Sequence, residues 1–155
     1  MRIGFTCGAW DLLHPGHLYF LRECLARCDK LIIGLQTNPS TDRKTKNKPI
    51  QTIFERYYQL SNMNTIIDGA TKEITIIPYD NEKDLENLLS MIPFHVRFLG
   101  TDYIEKPYTG DKINKEHNLY DMEYIPRYHT YSSSELRTRV LDITYDEEAS
   151  RRINR

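Results

Sequence analysis

What most constrains this chain is the regular alternation of short, continuous apolar runs with segments whose apolar residues recur at helical spacing. The runs are RIGFTC (2–7), KLIIGLQT (30–37), EITIIPY (73–79), VRFLG (96–100) and YDMEYIP (120–126). A short run that is apolar at nearly every position suits a strand covered on both faces, as in a parallel sheet whose connections are helices. The segments between supply those helices. Residues 16–28 carry Leu18, Leu21, Cys24, Leu25 and Cys28 at helical spacing and lead into the next strand after a short gap, which fits a βαβ crossover. Thr52 and Glu55 form a capping-box pattern that opens a helix to about Met63, with Ile53, Tyr57 and Leu60 on one face. Asn81 caps a helix over 82–92, built on Leu85, Leu88, Leu89 and Ile92. The serine run Ser132, Ser133, Ser134, followed by Glu135, starts a last helix whose apolar face is Leu136, Val140 and Leu141.

The pattern predicts an α/β fold, a Rossmann-like doubly wound parallel sheet of about five strands, in a single domain. At 155 residues the chain suits one core. Residues 1–144 are read as that domain, and YDEEASRRINR (145–155) as a charged C-terminal tail or frayed helix. TDYIEKPYTGDKINKEHN (101–118) shows no period and is read as an irregular loop with at most one helical turn. Net charge is only −1, which argues against a broad basic surface for nucleic acid. No apolar run approaches the ~18 residues that would span a bilayer, so neither a nucleic-acid nor a membrane partner is expected and a cytoplasmic location is. The three cysteines, Cys7, Cys24 and Cys28, contain no CxxC pair and are read as reduced, with Cys24 and Cys28 as packing residues.

In such sheets ligands bind at the carboxyl ends of the strands, where the strand order reverses. The loops at 8–17, 38–51, 101–118 and 127–133 should therefore share one rim, and the unusual residues lie in them. The first, GAWDLLHPGH, offers Gly8 for close backbone approach and sets His14 and His17 around Pro15 and Gly16 at a helix start, where free N–H groups and the helix dipole favour an anion. A plainer reading has His14 satisfying a turn and His17 filling space. The second loop adds Lys44, Lys46 and Lys48, and the last adds Arg127, with Ser132 and Ser133 opening another helix toward the same rim. Two helix N-termini, two imidazoles and several cations suit a triphosphate. The chemistry they favour is in-line displacement at phosphorus, in which positioning and charge stabilisation do most of the catalysis.

These residues resemble a known family. GAWDLLHPGH is similar to the G-T-F-D-x-x-H-x-G-H signature of the HxGH nucleotidyltransferase superfamily, and RYHTYSSSELR resembles its second signature, R-T-x-G-I-S-T-T. The short length and DLLHPGH are most similar to the glycerol-3-phosphate cytidylyltransferases, and the resemblance runs from residue 2 to 141. It implies transfer of CMP from CTP to a phosphorylated alcohol, foremost glycerol 3-phosphate, giving CDP-glycerol and pyrophosphate, with Mg²⁺ on the triphosphate and a homodimer as the assembly. His14 and His17 would contact the triphosphate and stabilise the five-coordinate phosphorus. Gly8, Ala9, Trp10, Pro15 and Gly16 would hold the nucleotide through the loop backbone, and Asp11 would orient that loop. Lys44 and Lys46 would reach acceptor phosphate and CTP, Asp102 in FLGTDY would face the nucleoside, and Arg127 would clamp a phosphate. Tyr131, Ser132 and Ser133 would bind through backbone and hydroxyls, and Lys83 is a further candidate for acceptor phosphate.

Three departures stand out. Ala9 replaces a threonine, YHTY (128–131) replaces T-x-G-I with bulky aromatics, and the lengthened segment NMNTIIDGATKE (62–73) leaves Asn64 where the family carries an arginine. The HxGH chemistry does not itself read the base, so ATP, or a sugar phosphate, phosphocholine or phosphoethanolamine acceptor, remains an alternative. A nucleotide sensor that has lost turnover is a second class.

Overall fold

The computed structural model describes residues 1–153. Its centre is a five-stranded parallel sheet of β1 (Ile3–Gly8), β2 (Lys30–Gln36), β5 (Glu73–Tyr79), β6 (Val96–Gly100) and β7 (Asp121–Ile125), in the order β5-β2-β1-β6-β7. The chain winds outward from β1 through α1 (Pro15–Ala26) and α2 (Ile53–Ser61), then returns past β1 through α3 (Glu82–Met91) and α4 (Asp111–His117). The order thus reverses between β1 and β6, and the doubly wound sheet expected from the sequence is what forms. Each strand run is apolar because both of its faces are covered. Leu31, Ile33, Leu35 and Phe98 point into one core with Leu21, Cys24, Leu25 and Leu60, while Ile32 and Phe5 point into the other with Leu85, Leu89, Phe94 and Tyr120. Pro78 falls on the edge strand β5, where a missing N–H costs the ladder least.

The helix starts carried by capping signals are built as the residues dictate, Ser132 accepting from the Glu135 N–H at 3.0 Å. Thr52 and Glu55 exchange backbone donors in a full capping box, and Asn81 accepts from the Asp84 N–H at 2.9 Å. Cys24 and Cys28 pack in the first core, and burial pushes both thiols up, as befits inert packing residues.

Three expectations are corrected, and the lengthened segment 62–73, left without an assignment, takes a defined form. Residues 101–118 contain a 3-10 turn at Thr101–Tyr103 and the two-turn helix α4, entered through Gly110 at φ 91° and left through Asn118 at φ 49°. That helix is too short and too polar to show a period. The segment 62–73 folds into a small antiparallel hairpin, β3 (Ile66–Ile67) and β4 (Ala70–Thr71), turned by Asp68-Gly69, both at positive φ. The Asp-Gly pair is its readable signal. On α2 only Leu60 of the expected face is buried, with Arg56 beside it, while Ile53 and Tyr57 are exposed. The last helix, α5 (Ser133–Ile153), likewise turns Val140 and Leu141 to the surface. The helix runs on through most of the segment read as a charged tail or frayed helix, whose last residues, Asn154 and Arg155, lie outside the described part. Among the described residues no helix is long and apolar enough to cross a membrane.

Phe98 is fully buried in the first core beside Gly4, so its replacement leaves a cavity that two layers share. Phe98→Ala should cost about 3–5 kcal/mol, read as a lower urea midpoint with unchanged slope.

Candidate active site

All four rim loops converge on one cleft of ≈ 1700 Å³ at the carboxyl edge of the sheet, over the β1/β6 reversal. One side of it is the turn from β1 into α1. Trp10 and Leu12 there hold left-handed φ of 52° and 50°, an uncommon conformation for such residues. Several contacts hold the turn in place. The Trp10 indole is buried and donates to the Gly34 carbonyl at 3.1 Å. The buried Asp11 carboxylate accepts from the N–H groups of Ile50 and Gln51, each at 2.9 Å, and from Arg137 of α5 at 2.6 Å. Burial pushes the Asp11 carboxyl up, but these donors outweigh it and hold it below the usual carboxylate range. Ser133 donates to the Asp11 carbonyl at 2.8 Å, so the start of α5 is tied to the same turn.

His14 is the N-cap of α1. Its Nδ1 accepts from the Gly16 N–H at 3.1 Å, and His17 Nδ1 accepts from the His14 N–H at 3.3 Å, so the two imidazoles form the helix's capping box. Their rings stack with centroids 3.8 Å apart. A ring nitrogen that accepts from a backbone N–H carries no proton, which leaves Nε2–H as the free donor of each neutral ring. Burial, then the neighbouring His129 and Arg127, push His14 down, and burial with His14 alongside pushes His17 down to about 3. The plain reading of His14 as satisfying the turn is met by this cap, and His17, more than filling space, completes it; capping the helix is also what aims the rings. His14 is also more buried, at 8% exposed, than a loop residue would be.

Of the remaining candidates, Gly8, Ala9, Trp10, Gly16, Lys46, Asp102, Arg127, Tyr131, Ser132 and Ser133 line the cleft. Arg127 donates to the Tyr131 carbonyl at 2.6 Å, which folds the closing segment onto itself. Pro15 opens α1 with its ring exposed and serves the helix start. Lys44 and Lys48 are exposed and outside the cleft lining, and Lys83 pairs with Glu86 at 3.5 Å on the surface of α3, a solvated helix charge.

Four lining or supporting residues escaped sequence reasoning. Arg43, rather than Lys44, enters the cleft from the second loop, held by Gln36 at 2.9 Å and Glu82 at 3.1 Å. Arg56 is buried and donates to five carbonyl oxygens, of Ala9, Gln36, Thr37, Gln51 and Thr52, clasping the first two loops together. A single arginine beside Leu60 on an amphipathic helix was its only signal. His129 lies over the start of α1, so close that a Cβ on Gly16 would come within 2.4 Å of its ring. Its Nδ1 is buried without a hydrogen-bond partner. Arg97, buried on β6, also lines the cleft.

Residues 5–139 match the family model described as cytidylyltransferase-like. Among curated proteins, the chain is 31% identical over 114 residues to the bifunctional protein HldE of Caulobacter vibrioides, and 36% identical over 110 residues to that of Acidiphilium cryptum. These alignments cover 73% and 70% of this chain but only 22% and 21% of the relatives, so the chain spans about a fifth of their length. Among solved structures, a lipopolysaccharide core biosynthesis protein from Thermoplasma volcanium superposes with TM-score 0.63 at 23% identity, over 83% of this chain and 99% of that one. A protein of unknown function from Archaeoglobus fulgidus gives 0.58 at 14% identity, over 85% and 94%. At those identities the likeness is one of fold.

His17, held neutral far below its unfolded value of 6.5, makes stability depend on pH. From pH 6.5 down to about 3 the unfolded chain takes up a proton that the folded chain refuses, so this contribution is complete above pH 6.5 and lost through that window. The urea midpoint of the wild type should fall with acidification across that range more steeply than that of His17→Gln.

Proposed function

Because the chain belongs to the cytidylyltransferase-like family of nucleotidyltransferases, we propose that it transfers CMP from CTP to a phosphorylated alcohol, foremost glycerol 3-phosphate. An oxygen of the acceptor phosphate attacks the α-phosphorus, a new P–O bond forms, and the bond to the β-phosphate breaks as pyrophosphate leaves. No side-chain nucleophile takes part. The observation that carries this reading is the locked pair of imidazoles, whose Nε2–H groups are set beside a helix N-terminus. Donors fixed before the reaction stabilise charge on the equatorial oxygens without reorganising. Arg127 and the N-terminal turn of α5, with Ser132 and Ser133, serve the triphosphate beside the histidine turn, and Lys46 and Arg43 serve the phosphate that attacks. Asp102 serves the nucleoside. Lys44 and Lys83 stay in this reading only as outer charges that draw anions toward the cleft.

Mg²⁺ fits as a companion of the triphosphate. Among the described residues no three histidine, cysteine or carboxylate side chains gather as a cage, so phosphate oxygens and water would be its main ligands. It supplies charge neutralisation on the leaving pyrophosphate. The alternative donor and acceptor pairs, ATP and a sugar phosphate among them, use the same machinery.

The assembly we propose is a homodimer that covers the exposed apolar face of α2, where Phe54 is 66% and Tyr58 58% exposed. Phe54→Glu should then shift the wild-type dimer to monomer in light scattering; a monomeric wild type overturns it.

Pyrophosphate release should be followed with each of CTP, ATP, GTP and UTP and Mg²⁺ against a panel of phosphate esters. Release with CTP and glycerol 3-phosphate is the expected result, and release with another pair alone moves the specificity while keeping the chemistry. His14→Asn keeps a capping acceptor but loses Nε2–H, so it should lower kcat about 10²-fold or more while thermal stability stays close to wild type. Near-full turnover would remove His14 from the chemistry.

A further inference from the structure

The cleft continues below the imidazoles. β1 and β6 pair at Gly4–Val96 and Phe5–Arg97, and Arg97 of that last pair lines the cleft together with Cys7 of β1. Arg97 lies three residues before the end of β6, roughly 10 Å below the rim at ~3.3 Å per residue. With the triphosphate on the histidine side, this lower lobe is the space left for the acceptor.

Its floor holds an unusual charge. Arg97 is 2% exposed, yet among the described residues no carboxylate pairs with it. One Nη donates to the Thr109 carbonyl, the other faces the Cys7 sulfur at 4.0 Å, and the guanidinium lies 5.4 Å from the Tyr108 ring centre. Nε is buried with no partner at all. The comparison with Arg56 is instructive, since that equally buried side chain has carbonyl acceptors for every one of its nitrogens. Nearby acids do not neutralise Arg97. Glu82 reaches the Thr109 hydroxyl but is balanced by Arg43, and Asp111 pairs with Lys115 at 2.8 Å. A guanidinium keeps its charge under any ordinary condition, so a cation with no direct carboxylate partner stands at the bottom of the lobe, with Asp111 the acid that feels its charge. A Cβ on Gly110 would meet one of its nitrogens at 3.0 Å, so the turn above it is trimmed to admit the group.

Tyr108 and Tyr120 stand against it, and Tyr79 and Tyr103 line the same cleft. Rings of this kind attract quaternary and primary ammonium groups when no cation is among them. Here one is. We infer that Arg97 makes the floor of the acceptor lobe a subsite for oxygen, so that the acceptor carries hydroxyl or carboxylate groups at the end remote from its phosphate, and no cationic group. Resting on the nucleotidyl-transfer reading above, this selects polyol, sugar or acid phosphates and excludes phosphocholine and phosphoethanolamine. Arg97 acts as a specificity-determining residue and takes no part in the bond changes.

The test compares kcat/KM for glycerol 3-phosphate, a hexose 1-phosphate and 3-phosphoglycerate with that for phosphocholine and phosphoethanolamine, in the wild type, Arg97→Met and Arg97→Lys. The wild type should favour its best oxygen-ended acceptor over either amine by about 10²-fold or more, because an amine brings like charge to an unpaired cation. Arg97→Met should raise KM for that acceptor about tenfold with kcat little changed, and narrow the gap to the amines. Arg97→Lys keeps the charge and should keep part of the preference, which a packing role would not predict. Preference for an amine, or an unchanged KM in a folded Arg97→Met, overturns the inference. Thermal stabilisation by the same esters is a second readout that needs no turnover. If no nucleotide reacts, the transfer reading fails, while stabilisation by glycerol 3-phosphate that Arg97→Met abolishes still supports the subsite and stabilisation it leaves intact still overturns it.

Discussion

The site depends on one buried carboxylate. Asp11 accepts from two backbone N–H groups at the end of the second rim loop and from Arg137 on α5, and its own carbonyl receives Ser133. Two chain segments far apart in sequence are thereby fixed to the turn that carries His14 and His17. Two of its residues sit in left-handed backbone conformations, Trp10 and Leu12, and such conformations persist only where the surroundings over-determine them. Asp11 and the Trp10 indole provide that determination. Asp11 therefore shapes the candidate active site without facing its main cleft.

Arginine is used in two ways around this turn. Arg56 is saturated with carbonyl oxygens from both sides of the first two loops, so it acts as a rivet between them. Arg97 is as deeply buried and much less satisfied, which marks it as a group whose remaining partner comes from outside the protein. The histidines follow a third principle. Their charge is suppressed by burial, by His129 and Arg127 beside His14 and by His14 beside His17, and they contribute directed N–H donors instead of cations. Fixed positive charge comes from Arg43, Arg97 and Arg127, and directed neutral donors from the imidazoles and helix N-termini.

The same hydrogen bonds that stabilise α1 also aim the two imidazoles. A side chain that caps a helix must hold its acceptor nitrogen on the backbone, and in an imidazole the opposite nitrogen then points away as a donor. Helix stability and the aim of the candidate catalytic donors are in this place one arrangement, and only a substitution that keeps the capping acceptor while removing Nε2–H separates them.

By itself the sequence determined the layers, the strand runs and the helix starts, because each follows from local periodicity and capping chemistry within a few residues. It also determined the convergence of four loops at one rim, since a parallel sheet with helical crossovers leaves its strand ends together. His14, His17, Arg127, Ser132 and Ser133 were legible for that reason. Long-range contacts were not. Arg56, Arg97 and His129 take their roles from partners tens of residues away, and nothing local distinguishes a riveted arginine from an unsatisfied one. Arg43 rather than Lys44 enters the cleft because Gln36 and Glu82 hold it there, a choice that only packing makes. The exposed apolar faces of α2 and α5 mark the same boundary: helical spacing shows that a face exists, but only the tertiary arrangement decides whether this chain covers it.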